Sequence, residues 1–488
     1  MTWWWATVGC TDQPRDGKPP DDHTSVIQHT GVGAHTGTTG SHTGSVPPPA
    51  VDWPRYGSDL AASRSSPETV LDASNVGALE EKWRLELPGC TSTPTVVAGV
   101  VYVADWDGTV WALRAADGSV VWSRPTGVTI DGSLAVEDGL VYFANAEGFV
   151  RALDATDGRP VWARKGDRHR RTHLWSSPIR FEDQVVVGLA SDELTLPKFD
   201  YTFRGGVLSV DATTGDQRWK TYFTPDDATA GAGVSVWSSA SIDVARRRMY
   251  IGTGQAYEAP AGPLTDALVA LDLDTGAVVW SRQFTIDDVF TLWNDSGPDF
   301  DIGATPNLFT AGGRDLVAVG DKGGVIAAMD AETGETVWGP VRLSDGSEVG
   351  GVMGSAAYAD GVLYAVSHEF RGGGSIDAPS PKDVHWVVAL DAATGDVVWR
   401  EQRPFPTVGG VMTVNGLVFN MSSDGTIYAL DARDGRELWS DSTMSVAASG
   451  ASTSGGRVFA CSGFWFFKSE DEPDTVLGGL QAWGLPDE

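Results

Sequence analysis

Residues Ala389–Trp399 read ALDAATGDVVW, and the same phrase returns along the chain. Its other copies are Ala112–Trp122 (ALRAADGSVVW), Ala152–Trp162 (ALDATDGRPVW), Leu208–Trp219 (LSVDATTGDQRW), Ala270–Trp280 (ALDLDTGAVVW), Ala328–Trp338 (AMDAETGETVW) and Ala429–Trp439 (ALDARDGRELW). Gly precedes Trp by four residues in all seven copies, and Asp precedes it by eight in six, Arg114 being the exception. The pattern is that of a β-hairpin. An apolar strand runs into Asp, whose carboxylate can cap the turn, and Gly supplies the positive-φ position. The return strand ends in Trp, a large flat surface suited to packing on a neighbouring sheet.

Trp83, in EEKWRLEL, takes the repeat's last position without the preceding turn, as expected where a chain enters a ring. The series Trp83, Trp122, Trp162, Trp219, Trp280, Trp338, Trp399 and Trp439 has spacings of 39, 40, 57, 61, 58, 61 and 40 residues. A four-stranded blade takes about 40 residues. The sequence therefore predicts an all-β, eight-bladed propeller whose middle blades carry insertions of about twenty residues. After Trp439, strands in Arg457–Cys461 and Leu477–Trp483 would close the circle against the N-terminal strand, removing exposed sheet edges. Trp53–Leu79 would pack against the ring, and no convincing amphipathic helix appears.

Two domains follow. Residues 1–50 lack the large apolar side chains that would offset ordering entropy, and residues 51–488 form the propeller. Gly9–Cys10 followed by a polar tether resembles a bacterial lipoprotein cleavage site, although the basic n-region is missing and the apolar segment is short. That reading makes the protein exported, periplasmic or cell-surface, touching a membrane only through a lipid on Cys10. His23, His29, His35 and His42 are irregularly spaced in the tether and read as filler rather than metal ligands. With 35 Lys+Arg against 65 Asp+Glu, the net charge of −30 repels phosphate backbones, so nucleic acid is excluded as a partner. No C-x-x-C-H sequence for covalent haem is present, and a Cys90–Cys461 disulfide would join the first and last blades. Arg164–Arg171 (RKGDRHRR) reads as a solvated loop or an acceptor-docking patch, and Phe464–Phe467 (FWFF) as half core or a substrate mouth.

The repeat A-x-D-x-x-T-G-x-x-x-W resembles the tryptophan-docking motif of quinoprotein propellers, whose members often hold pyrroloquinoline quinone (PQQ). The likeness covers residues 51–485 and is closest to the polyvinyl-alcohol-dehydrogenase-like branch. It rests on WPRYGSDLAASRSSPETVLDASNVGALEEKW, VWSSASIDVARRRMYIGTGQAYEAP, and PDFDIGATP followed by VGDKGGVIAAMD.

The resemblance implies a site residue by residue. Trp237 matches the tryptophan stacked beneath the quinone, Ser176 a hydroxyl on a quinone carboxylate, and Lys322 the basic residue reaching the quinone carbonyls. Glu193, with Asp192 as a rival beside it, matches a carboxylate ligand to calcium. Gln255 stands where the family has Asn, keeping the amide oxygen on a longer arm. Asp266 matches the catalytic base, and Leu268, two residues on, stands where lanthanide-using relatives place a second Asp, which points to Ca²⁺. The family's vicinal cysteine pair is replaced by Asp200-Tyr201, and its quinone-binding arginine has no clear counterpart. The expected function is PQQ- and calcium-dependent oxidation of a secondary or polyvinyl-alcohol-like alcohol, without haem, electrons leaving to a separate acceptor. A second reading is a non-catalytic propeller that scaffolds envelope proteins or binds a ligand. A third, resting on the tryptophan count alone, is sugar or polymer binding.

Overall fold

The computed structural model describes residues 51–197, 200–225, 231–371, 380–464 and 477–487. The expectations for Cys10 and the tether histidines lie outside them, as do 465–467 of the FWFF stretch. Among the described residues there is no α-helix, only short 3₁₀ turns at Val76–Ala78 and Glu193–Thr195. Seven antiparallel blades span 95–125, 135–165, 179–222, 241–283, 307–342, 357–403 and 412–442, each with four strands in chain order from the axis outward. The eighth joins Ser452–Ser454, Arg457–Ser462 and Gly478–Gly484 to the N-terminal strand Glu80–Leu87. Pairs from Glu80↔Gly484 to Leu87↔Gly478 close the ring as expected. Cys90 and Cys461 are disulfide-bonded at the same junction, with a Cα–Cα distance of 5.3 Å.

The docking motif acts between blades. Trp338 donates its indole N–H to the Ala392 carbonyl of the next blade at 2.9 Å, and a Cβ at Gly395 would meet its ring at 2.6 Å. Gly395 has φ +77°, so both its conformation and the ring above it require glycine. Trp83, Trp122, Trp162, Trp219, Trp280 and Trp399 repeat the hydrogen bond and the stacking on Gly118, Gly158, Gly215, Gly276, Gly334 and Gly435. Trp439 completes the circle by donating to Leu79 at 3.1 Å.

The segment before Trp83 covers the free edges of the innermost strands. Trp53 pairs with Val96 of blade 1, and the carbonyls of Pro54, Leu60, Ala61, Ser63 and Arg64 accept N–H groups from Val136, Ile242, Leu308, Tyr358 and Thr413. Ser65–Ser66 adds a short parallel strand to blade 7, and Glu68 accepts the Thr453 hydroxyl of blade 8 at 2.8 Å. Every one of these partners belongs to an innermost strand, whose unpaired backbone groups would otherwise face the axis.

Candidate active site

Antiparallel alternation puts the seven docking turns at one end of their blades. The second-to-third-strand loops and the links between blades lie at the other end. All six candidate residues fall there: Glu193, Gln255 and Lys322 follow second strands, Asp266 precedes a third, and Ser176 and Trp237 precede first strands.

Asp301, just before the first strand of blade 5, draws several of them together. It accepts the Trp237 indole N–H at 3.0 Å, the Gln255 backbone N–H at 2.9 Å and the Lys322 ammonium at 3.3 Å. Lys322 is also 2.7 Å from Asp299 and lies 5.9 Å from the centroid of the Trp237 ring. Gly303 sits beneath that ring, where a Cβ would come within 1.7 Å of it. The half-buried indole is thus fixed at its edge by a carboxylate and on one face by a glycine.

Asp266 adds a further acid. It has φ 44°, is fully buried, and neither carboxylate oxygen has a hydrogen-bond donor among the described residues. Burial and the charges of Asp301, Asp288 and Asp299 push its pKa well above the usual carboxylate value. Asp288 accepts the backbone N–H groups of Asp299 and Phe300 at 3.1 and 2.8 Å. Burial alone would lower the Lys322 pKa, but Asp299 and Asp301 more than reverse that and keep it charged. Four neighbouring buried acids are therefore accompanied by one ammonium, which touches Asp299 and Asp301. Such an excess of negative charge is costly unless protons or a cation relieve it.

Glu193 lies in the 3₁₀ turn after the second strand of blade 3 and is fully buried. Its Oε2 accepts the N–H groups of Thr202 and Phe203 at 3.2 and 2.9 Å, and its Oε1 is 3.0 Å from His169 Nε2. Asp192 instead faces Arg171 at 2.9 Å. Within the basic stretch, Arg164 binds the Gly215 carbonyl and Asp216, both at 2.6 Å, while His169 reaches Glu193. Tyr201, at the position of the replaced cysteine pair, donates to the Leu196 carbonyl at 2.9 Å and packs edge-on to Tyr257, 5.7 Å between centroids.

Ser176 does not join this group through any hydrogen bond described. Its hydroxyl accepts the Gly188 N–H at 3.2 Å within blade 3, as the Ser238 hydroxyl accepts the Gly252 N–H at 3.0 Å in blade 4. Asp299 and Asp301 lie within PDFDIGATP and are site acids that the resemblance does not single out. The signal was two acids next to a glycine, Gly303, in a stretch already tied to the site.

For calcium, the donor chemistry fits. Glu193 and Gln255 are hard oxygen donors, and buried Asp266 has two carboxylate oxygens without a hydrogen-bond partner among the described residues, negative charge that a cation would relieve. With its amide turned so that the nitrogen faces Asp301, Gln255 donates to Asp301 Oδ1 at 2.6 Å, which ties its side chain to the same carboxylate. Among the described residues, no three His, Cys, Asp or Glu side chains are already gathered as a metal cage. For a planar quinone, Trp237 on its Gly303 support supplies the floor and Lys322 the neighbouring positive charge.

Residues 53–343 match the family model described as glucose/ethanol/alcohol dehydrogenase, beta-propeller domain, and residues 321–472 match that of the outer membrane protein assembly factor BamB. A polyvinylalcohol dehydrogenase of Pseudomonas sp. is 29% identical over 472 residues, covering 88% of this chain and 70% of that one. A quinohemoprotein alcohol dehydrogenase of Comamonas testosteroni is 24% identical over 369 residues, covering 64% and 50%. The crystal structure of the Comamonas testosteroni quinohemoprotein alcohol dehydrogenase superposes with a TM-score of 0.72 at 20% identity, over 89% of this chain and 80% of that one. BamB from Moraxella catarrhalis gives 0.55 at 17% identity, over 84% and 98%. These two structural likenesses establish the fold. The family match covers more than half of the chain, and with it this protein belongs to the PQQ β-propeller family of glucose/ethanol/alcohol dehydrogenases.

Proposed function

We propose that this protein is a PQQ- and calcium-dependent dehydrogenase of secondary or polyvinyl-alcohol-like alcohols. The observation that carries the reading is Asp301, which holds Trp237, Gln255 and Lys322 around one carboxylate at the loop end of blades 4 and 5. When bound, PQQ supplies the two-electron acceptor for the hydride leaving the alcohol carbon. Trp237 would form the floor beneath it, and Lys322 would favour its reduced, anionic form. Glu193 and Gln255 are the oxygen donors that would hold calcium, and Ser176 has a hydroxyl proton to offer a quinone carboxylate.

The alcohol's hydroxyl proton needs a base. Asp266 matches the family position, but its raised pKa favours the protonated form, which cannot accept a proton. Asp301, anchored to an ammonium and an indole N–H, is the better-supplied carboxylate, and we assign it the base role with Asp266 as its buried neighbour. Electrons would leave to an external acceptor. The Cys90–Cys461 disulfide supports an exported location, because such bonds persist in oxidising compartments.

The test is reconstitution of the purified protein with PQQ and Ca²⁺, followed by absorbance and an alcohol-dependent dye assay. Stoichiometric, calcium-dependent binding with dye reduction is expected, and absence of binding would overturn the proposal. The match of residues 321–472 to an assembly-factor model favours a scaffold as the second reading, which predicts no quinone binding at all.

A further inference from the structure

Large apolar side chains exposed on this molecule are mostly valines of the outermost strands: Val120, Val121, Val161, Val278, Val279, Val397 and Val398. Two others belong to one loop at the site end of blade 4, Ile286 at 75% exposure and Trp293 at 56%. Trp293 caps the small hairpin Phe290–Thr291/Asn294–Asp295. That hairpin is tied to both segments bearing the proposed metal donors. The Phe290 N–H donates to Ala256, next to Gln255, at 2.9 Å, and the Leu292 N–H donates to Leu194, next to Glu193, at 3.1 Å. Thr291 is fully buried beneath it, 3.4 Å from the Tyr201 hydroxyl.

The indole is exposed yet held. Its N–H donates to the Thr195 carbonyl at 3.0 Å, which fixes the ring while leaving more than half of the side chain to water. A surface tryptophan ordered before any ligand arrives loses little rotamer entropy on binding. Indole is also the side chain whose area contributes most to contact with apolar ligands. The surroundings are acidic: Asp287 and Asp288 lie on the same loop, Asp192 precedes Glu193, and the whole chain carries −30. An anionic polymer is therefore repelled, whereas a neutral chain with aliphatic stretches and hydroxyls is not.

We propose that Trp293 is a substrate platform outside the reaction site, binding the aliphatic backbone of an extended, neutral, polyhydroxylated chain while one of its hydroxyls reaches Asp301. This rests on the dehydrogenase reading and deepens it: the platform selects long alcohols over short ones. The indole touches substrate remote from the reacting carbon, so its effect falls on binding of the long substrate and not on the chemical step.

The experiment uses the full chain, reconstituted with PQQ and Ca²⁺, and two probes, a short oligomer of the –CH2–CH(OH)– repeat and 2-propanol. Oligomer binding is measured directly by equilibrium dialysis, independently of turnover, for wild type, Trp293→Ala and Trp293→Phe. W293A is expected to weaken oligomer binding about tenfold, with W293F retaining most of it, as for a truncated aromatic anchor. KM for the oligomer should rise to match while kcat/KM for 2-propanol stays within about twofold. Oligomer binding by W293A equal to wild type overturns the platform, as does an equal loss on both substrates. If wild type oxidises neither alcohol, the dehydrogenase reading fails, and the dialysis comparison still decides whether Trp293 binds the chain.

Discussion

The indole N–H of Trp237 donates to Asp301 at 3.0 Å, so the proposed quinone floor and the proposed base are one hydrogen-bonded unit. Asp301→Asn keeps the shape and removes the charge. We expect it to lower kcat by about a hundredfold or more, the usual contribution of a positioned base. Asp266→Asn should cost less than about tenfold, because burial and the neighbouring acids favour the protonated carboxyl, which has little basicity to lose. Steady-state dye reduction with the two reconstituted variants checks the assignment. The reverse order would return the base role to Asp266.

Docking should be equally sensitive to a single methyl group. Gly395→Ala places a Cβ 2.6 Å from the Trp338 ring and forces alanine to φ +77°. Backbone strain and overpacking together predict a loss of about 2 kcal/mol or more. Gly361→Ala is a fitting control: φ is +80° there, but a Cβ would meet nothing within 4 Å. Urea unfolding of both variants separates the clash from the strain, and equal losses would mean that the tryptophan contact contributes little.

The contrast between fold and site explains what was legible. Docking is written in short-range code, because Asp, Gly and Trp of one hairpin lie within nine residues, Gly and Trp recurring seven times and Asp six. The ring followed from counting them. The site is assembled from loops of blades 3, 4 and 5, spanning Glu193 to Lys322, and sequence spacing does not say which acid faces which. Asp266, Asp288, Asp299 and Asp301 look alike as letters; only the folded chain distinguishes the one that accepts Trp237 and Lys322. Ser176 shows the converse problem. Its place in a plausible motif coincides with a hydroxyl-to-backbone link repeated in blade 4, which needs no ligand.

Blade 6 carries an acid-sensitive element. His368 and His385 are cross-strand partners, and burial lowers both pKa values from 6.5 to about 4. The His368 ring is linked through Nε2 to the Val349 carbonyl at 2.7 Å, while neither nitrogen of His385 has a hydrogen-bond partner among the described residues. Below pH 6.5 the unfolded chain takes up protons that the folded chain refuses until about pH 4. Stability therefore falls as pH drops through that window. His385→Phe, which removes one such group beside Phe370, should flatten the decline by about 1–3 kcal/mol. Urea midpoints of wild type and variant at pH 7.5 and pH 4.5 give the difference, and parallel declines would show that other groups set the acid limb.

Ring closure is carried twice, by the Glu80–Leu87 strand against Gly478–Gly484 and by the Cys90–Cys461 bond 371 residues apart in sequence. A cross-link over so long a loop removes much of the unfolded chain's freedom, so reduction should cost about 3–5 kcal/mol. Alkylation with and without reductant checks the pairing in chain produced without a lipid on Cys10, the third cysteine: one label is expected on the oxidised, unfolded chain and three after reduction. A matching fall in the thermal midpoint would show that the bond contributes to closure beyond the strand. An unchanged midpoint in a chain that does take three labels would mean that the backbone ladder at Trp83 and its partners closes the ring unaided, the disulfide adding only protection from the surroundings.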